Sequence, residues 1–181
     1  MAKRTVDLGP IRGLVAEALG LPGQRTFRVN AHSPQGSARL WLEKEQLGAL
    51  AAAIEQLLTE VGTVRGFTRG EGARMEAFAG TPGIEFRIGR LTLGYDQGRD
   101  VVSLLAREAL PEDEDEEQEP APEADQVQLE ATREQMHAFS KQAQGVVSAG
   151  RPRCPLCGTP LEGPTHFCPR SNGHAPLQSE D

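Results

Sequence analysis

Cys154, Cys157 and Cys168 are the only cysteines of a 181-residue chain, and all fall within its last thirty residues. The first two form Cys154-Pro-Leu-Cys157-Gly, where thiolates three apart, followed by glycine, let backbone amides turn inward around a metal. His166 stands two residues before Cys168 and His174 six after it. Tetrahedral zinc takes four soft or borderline ligands, with Zn–S near ~2.3 Å and Zn–N near ~2.0–2.1 Å. Three cysteines and one histidine supply that set. The spacing leaves the fourth ligand open between an H-x-C half through His166 and a C-x₅-H half through His174. A redox CxxC is the competing chemistry, but such a motif opens a helix within a βαβ context. Here it sits in a Pro- and Gly-rich tail with too little apolar content to fold without metal.

The rest of the chain must supply a scaffold. Phe27, Val29 and Ala31 alternate on one strand face, and Ala38, Leu40 and Leu42 alternate again after the turn residues His32–Gly36. Leu47, Leu50, Ala51, Ile54, Leu57, Leu58 and Val61 have helical spacing, predicting a helix over 43–61 stopped by Gly62. Ile84, Phe86 and Ile88 share one parity and Leu91, Leu93 and Tyr95 the other, so a bulge is expected at Gly89-Arg90. Asp96-Gln97-Gly98 signals a hairpin returning as Val101–Arg107. Val127–Ala131 reads as a strand. Thr132 and Gln135 form a capping box that opens a second helix over 132–149.

The two helical stretches align at an offset of 89 residues, with Lys44–Leu50 over Arg133–Phe139. A duplicated β–β–α unit would account for the match. The expected fold class is α+β: an antiparallel sheet of about five or six strands with both helices on one face. A small zinc-ribbon-like tail follows. Residues 1–150 would form the body and 151–181 the metal-binding tail. Residues 11–19 fit either helix or strand, Leu21–Gln24 a type II turn, and 63–82 a loop. Trp41, out of phase with Leu40 and Leu42, is expected on the sheet face away from the helices.

Charge is unevenly placed. The net charge is −7, yet residues 110–130 carry ten acids and no base. The run at 110–125, LPEDEDEEQEPAPEAD, would confine like charges and bury almost nothing, so it reads as a solvated loop. The net charge of −7 disfavours a generic basic nucleic-acid binder. A secreted disulfide scaffold does not fit three clustered cysteines. No apolar run reaches membrane-spanning length, and no signal core follows Met1–Arg4, so the expected address is the cytoplasm.

Several stretches together resemble a known family. They are GLVAEALGLPGQRTF at 13–27, LEKEQLGALAAAIEQLL at 42–58, EFRIGRLTLGYD at 85–96 and GRPRCPLCGTPLEGPTHFCPRSNG at 150–173. The family is the one catalogued as domain of unknown function 3090, found mostly in actinobacteria. The resemblance implies that 13–19 is a strand and that His166, rather than His174, completes the metal site. It implies no catalytic residue. The acidic run and the first twelve residues depart from the family pattern.

Three functions follow in order. The first is a non-enzymatic binding or adaptor module with a structural zinc and a protein partner. The second is a nucleic-acid-associated zinc ribbon, drawing on Arg151, Arg153 and Arg170. A zinc-dependent enzyme is third. It would need an open coordination position, and the chain has no GxSxG, P-loop or HExxH. Outside the tail the only histidines are His32, expected in a turn, and His137, expected at the solvent edge of the second helix.

Overall fold

The computed structural model describes residues 4–20, 24–65, 78, 80–110, 124–149, 154, 156, 157, 168 and 170. The strands are β1 (Thr5–Pro10), β2 (Gly13–Leu19), β3 (Thr26–Ser33), β4 (Gly36–Leu42), β5 (Ile84–Asp96), β6 (Val101–Glu108) and β7 (Gln126–Thr132). Helix α1 (Lys44–Arg65) follows β4 and α2 (Arg133–Ser148) follows β7. Alternation places Val29, Leu40, Phe86, Leu104 and Leu129 in one core with Leu47, Leu50, Ile54, Met136 and Phe139 of the two helices. Leu57, on the predicted apolar face of the first helix, and Val146 of α2 pack against that core half-buried.

The sheet is mixed and seven-stranded, in the order β1-β7-β6-β5-β4-β3-β2, which corrects the expectation of five or six antiparallel strands. Hairpins make the antiparallel neighbours; β4 with β5 and β1 with β7 run parallel. The order has a severe geometric consequence. β1 and β2 are opposite edges, about 29 Å apart across seven flat strands at ~4.8 Å spacing. Pro10 and Gly13, three Cα steps apart, can be separated by at most about 11 Å. The sheet must therefore curl until its edges meet. At the meeting point the Ile11 N–H donates to Glu130 of β7 and the Arg12 N–H donates to His32 of β3, both at 2.9 Å.

The chain is built twice. β5 pairs parallel with β4 through its first residues and antiparallel with β6 through the rest. β1 and β2 divide the same two tasks, with β7 and β3. Each long strand bends at a register shift, one between Asp7 and Pro10 and one between Ile88 and Arg90, where the bulge was expected. Gly9 has φ +55°, which a side chain resists, and a Cβ at Gly89 would meet Ala109 Cα at 2.8 Å. The repeat reaches the helix caps. Gln46 Oε1 accepts from the Glu43 N–H and its Nε2 donates to the Ile88 carbonyl. Gln135 does the same with the Thr132 N–H and the Ile11 carbonyl.

Residues 13–19 are a strand, as the family resemblance implied. Helix α1 runs through Gly62 to Arg65. An interior glycine costs about 1 kcal/mol, which the apolar face ending in buried Leu58 outweighs. Most of the 110–125 run, residues 21–23 and most of the stretch between α1 and β5 lie outside the described residues. No helix among the described residues is long and apolar enough to cross a membrane. Replacing Leu50 or Phe139 by alanine should cost roughly 2–5 kcal/mol, read by denaturant unfolding, because each fills the space between helices and sheet.

Candidate metal centre

The described part of the tail brings the three cysteines together. Their sulfurs all lie within 4.8 Å of one another, with Cys154 and Cys168 buried and Cys157 half-buried. The Cys154 and Cys168 sulfurs are 3.7 Å apart. A disulfide needs ~2.05 Å; the edge of a sulfur tetrahedron around zinc, from Zn–S of ~2.3 Å, is about 3.8 Å. The spacing therefore fits thiolates around one ion. Arg170 Nη1 donates to the Leu156 carbonyl at 3.2 Å and ties the CxxC turn to the second half of the tail. Burial pushes the Cys168 thiol above its ordinary value. A backbone N–H at Arg170 works against this, and the adjoining Cys154 and Cys157 thiols raise it further. Three crowded sulfurs resist sharing negative charge, and a cation removes that conflict. His166 and His174, the two candidates for the fourth position, lie outside the described residues.

A second polar cluster joins the helices. His137 Nδ1 lies 2.9 Å from Glu55 Oε1, Ser140 Oγ bonds the same oxygen, and Lys141 Nζ is 3.7 Å from Oε2. His137 is thus largely enclosed between helices, not at a solvent edge, with a side chain 14% exposed. Serine, histidine and carboxylate look like a nucleophile and its base, but their order is wrong. Activation needs the imidazole between hydroxyl and carboxylate, whereas both groups here converge on one carboxylate oxygen. Ser140 is also fully buried. His32 sits in β3 rather than in the turn, its ring 5.6 Å from that of Phe78.

The outer sheet face carries a third polar group. Glu17 accepts from Arg28 and Asn30, and Arg39 reaches Asn30. Trp41, half-buried beneath Arg28, donates from Nε1 to Glu85 at 2.6 Å. Trp41 is on the face expected, engaged by its neighbours. Sequence reasoning missed Glu55, whose only signal was its place one turn beyond the α1 core residue Ala51.

The site-bearing class is a duplicated α+β fold whose tail gathers three cysteines into a cluster that could hold a metal ion. The chain matches the family described as protein of unknown function DUF3090 over residues 7–168, and it belongs to that family. No curated protein and no solved structure matches it.

Burial raises the Glu55 carboxyl, but Ser140, His137 and Lys141 together outweigh it and hold the group below its usual value. A depressed folded-state value gives stability present above the unfolded carboxylate pKa of about 4.3 and lost as pH falls through the folded value. Glu55→Gln should lower stability at pH 7 by roughly 1–3 kcal/mol, as loss of charge-assisted hydrogen bonds does. The difference from wild type should shrink below about pH 4 in thermal unfolding scans.

For the metal, elemental analysis of protein saturated with zinc and then desalted should give about one ion per chain. The Cys154→Ser plus Cys157→Ser variant should retain none. Thiols must lose protons to ligate, so affinity should fall steadily as pH drops.

Proposed function

We propose that the chain is a non-enzymatic binding or adaptor module whose C-terminal tail is stapled by one structural zinc. The ligands are Cys154, Cys157, Cys168 and His166, with His174 as the alternative fourth. The observation that carries this reading is the convergence of three sulfurs, two of them buried, at a spacing suited to one tetrahedral ion. A site with four protein ligands has no position for a substrate, so its role is to hold a shape. In a segment with so few apolar side chains, metal binding free energy is folding free energy. The partner is another protein, and the address is the cytoplasm. Nucleic acid is the weaker partner, because Arg170 is engaged within the tail.

The test compares zinc affinities of His166→Ala and His174→Ala. The first should be the more damaging. Chelation should expose the Cys154, Cys157 and Cys168 amides to hydrogen exchange while the strand amides stay protected. If neither histidine matters, the site is three thiolates and an exchangeable water. That open position suits catalysis, and metal-dependent turnover in an assay panel would replace the structural reading.

A further inference from the structure

At one of the positions where the two halves differ, the difference leaves a gap. On α2, Gln142 turns its carboxamide onto β2. Its Oε1 accepts from the Ala16 N–H at 2.9 Å and its Nε2 donates to the Ala16 carbonyl at 2.6 Å. Ala16 stands opposite Val29 of β3, and both its backbone groups face away from that strand, as alternate residues of an antiparallel ladder do. The carboxamide thus completes an otherwise open edge.

The matching residues of the other half are Leu93, opposite Leu104, and Ala53 of α1. Ala53 follows Gln46 by the interval at which Gln142 follows Gln135, and those two glutamines make the same contacts. β5 pairs with β4 only from Ile84 to Arg87. Beyond that, no strand among the described residues covers its second edge. A methyl group at Ala53 cannot reach where Gln142 reaches. A groove of about 330 Å³ opens there, lined by Gln46, Ala49, Leu50, Ala53, Leu91 and Leu93, with no charged side chain.

We propose that this groove binds an extended segment of a partner polypeptide. The segment adds to the edge of β5 through backbone hydrogen bonds at Leu93 and seats aliphatic side chains against Ala49 and Ala53. The fold itself displays the required chemistry: the occupant of the matching edge is a carboxamide, the functional group of a peptide bond. Size argues against a second copy of this chain. A stable dimer buries about 800 Å² and roughly 20–30 residues per partner, while six residues line the groove. Strand addition to a sheet edge suits so short a site, with main-chain bonds for affinity and alternate side chains for selectivity. The inference rests on the binding-module reading and deepens it, naming a partner class and a surface on the body rather than on the metal tail.

The test uses the full chain saturated with zinc. In the free protein the Leu93 amide should exchange at least about tenfold faster than that of Ala16. A display library of random nine-residue peptides should yield binders with aliphatic residues at alternate positions. Ala53→Gln, a change on an exposed helix position, should slow exchange at Leu93 and weaken those peptides at least about tenfold. N-methylation of alternate peptide nitrogens should abolish binding. The proposal is overturned if Leu93 is already as protected as Ala16, if no peptide is enriched, or if binding tolerates Ala53→Gln or N-methylation. A dimer in sedimentation that Ala53→Gln dissociates would assign the groove to a second copy and overturn it equally. Peptide binding that survives chelation separates this result from any failure of the zinc assignment.

Discussion

Two residues, Ile11 and Arg12, join strands that stand at opposite ends of the sheet, and nearly everything else in the body answers to that link. A flat sheet of this order cannot be spanned by so short a connection. The curl it forces makes an enclosed, concave face. A concave sheet needs filling, and two helices with Leu47, Ile54, Met136 and Phe139 fill it. The bends come from Gly9 and Gly89, where positive φ or close backbone approach excludes a side chain. The curl also brings both edges to one corner. There the Gln135 side chain spans from the start of α2 to the Ile11 carbonyl and fixes helix, link and sheet together.

Doubling the unit explains how so modest a core closes at all. Only 4% of the residues are aromatic, so no single bulky cluster can organise the interior. Instead each half repeats the same wiring of bent strand, hairpin, strand and capped helix. The two bent strands exchange partners, since β5 of the second half pairs with β4 of the first and β1 of the first with β7 of the second. Neither half can complete its sheet alone. The Glu55 cluster extends that dependence to the helices, because its carboxylate comes from α1 and its donors from α2. Gly48 and Ala51 of α1 correspond to His137 and Ser140 of α2, so the polar knot belongs to one side of the repeat only.

Local chemistry was legible in the sequence wherever it acts over a few residues. Thr132 and Gln135 form the capping box that their types announced. Asp96 Oδ1 accepts from the Gly98 and Arg99 N–H groups in the expected hairpin turn. The alternation of Ile84, Phe86 and Ile88 marks buried positions, and the slip at Gly89 is a real bulge. Parallel pairing was not legible, because it is set by a helical crossover and by edge closure, neither of which leaves a local signal. β1 was hidden because Gly9 and Pro10 break its pattern just where it bends. The histidines deceived for a similar reason: His137 owes its enclosure to a carboxylate 82 residues away. In the tail, spacing alone identified three sulfurs that the fold brings together.

The tail follows a different logic from the body. α2 ends with no basic residue in its last turn, although a helix C-terminus carries partial negative charge. A divalent ion held by three thiolates carries net negative charge as well. Both features call for cations, and Arg151, Arg153 and Arg170 are the bases that follow α2. Arg170 meets part of that need, since its hydrogen bond to the Leu156 carbonyl holds a guanidinium beside the CxxC turn. On the proposed zinc reading, Arg170, one of the arginines that gave the tail its nucleic-acid flavour, serves the balance of a thiolate-rich centre. On that reading, basic charge in such a segment becomes an argument for a polyanionic partner only where it exceeds what the proposed centre needs.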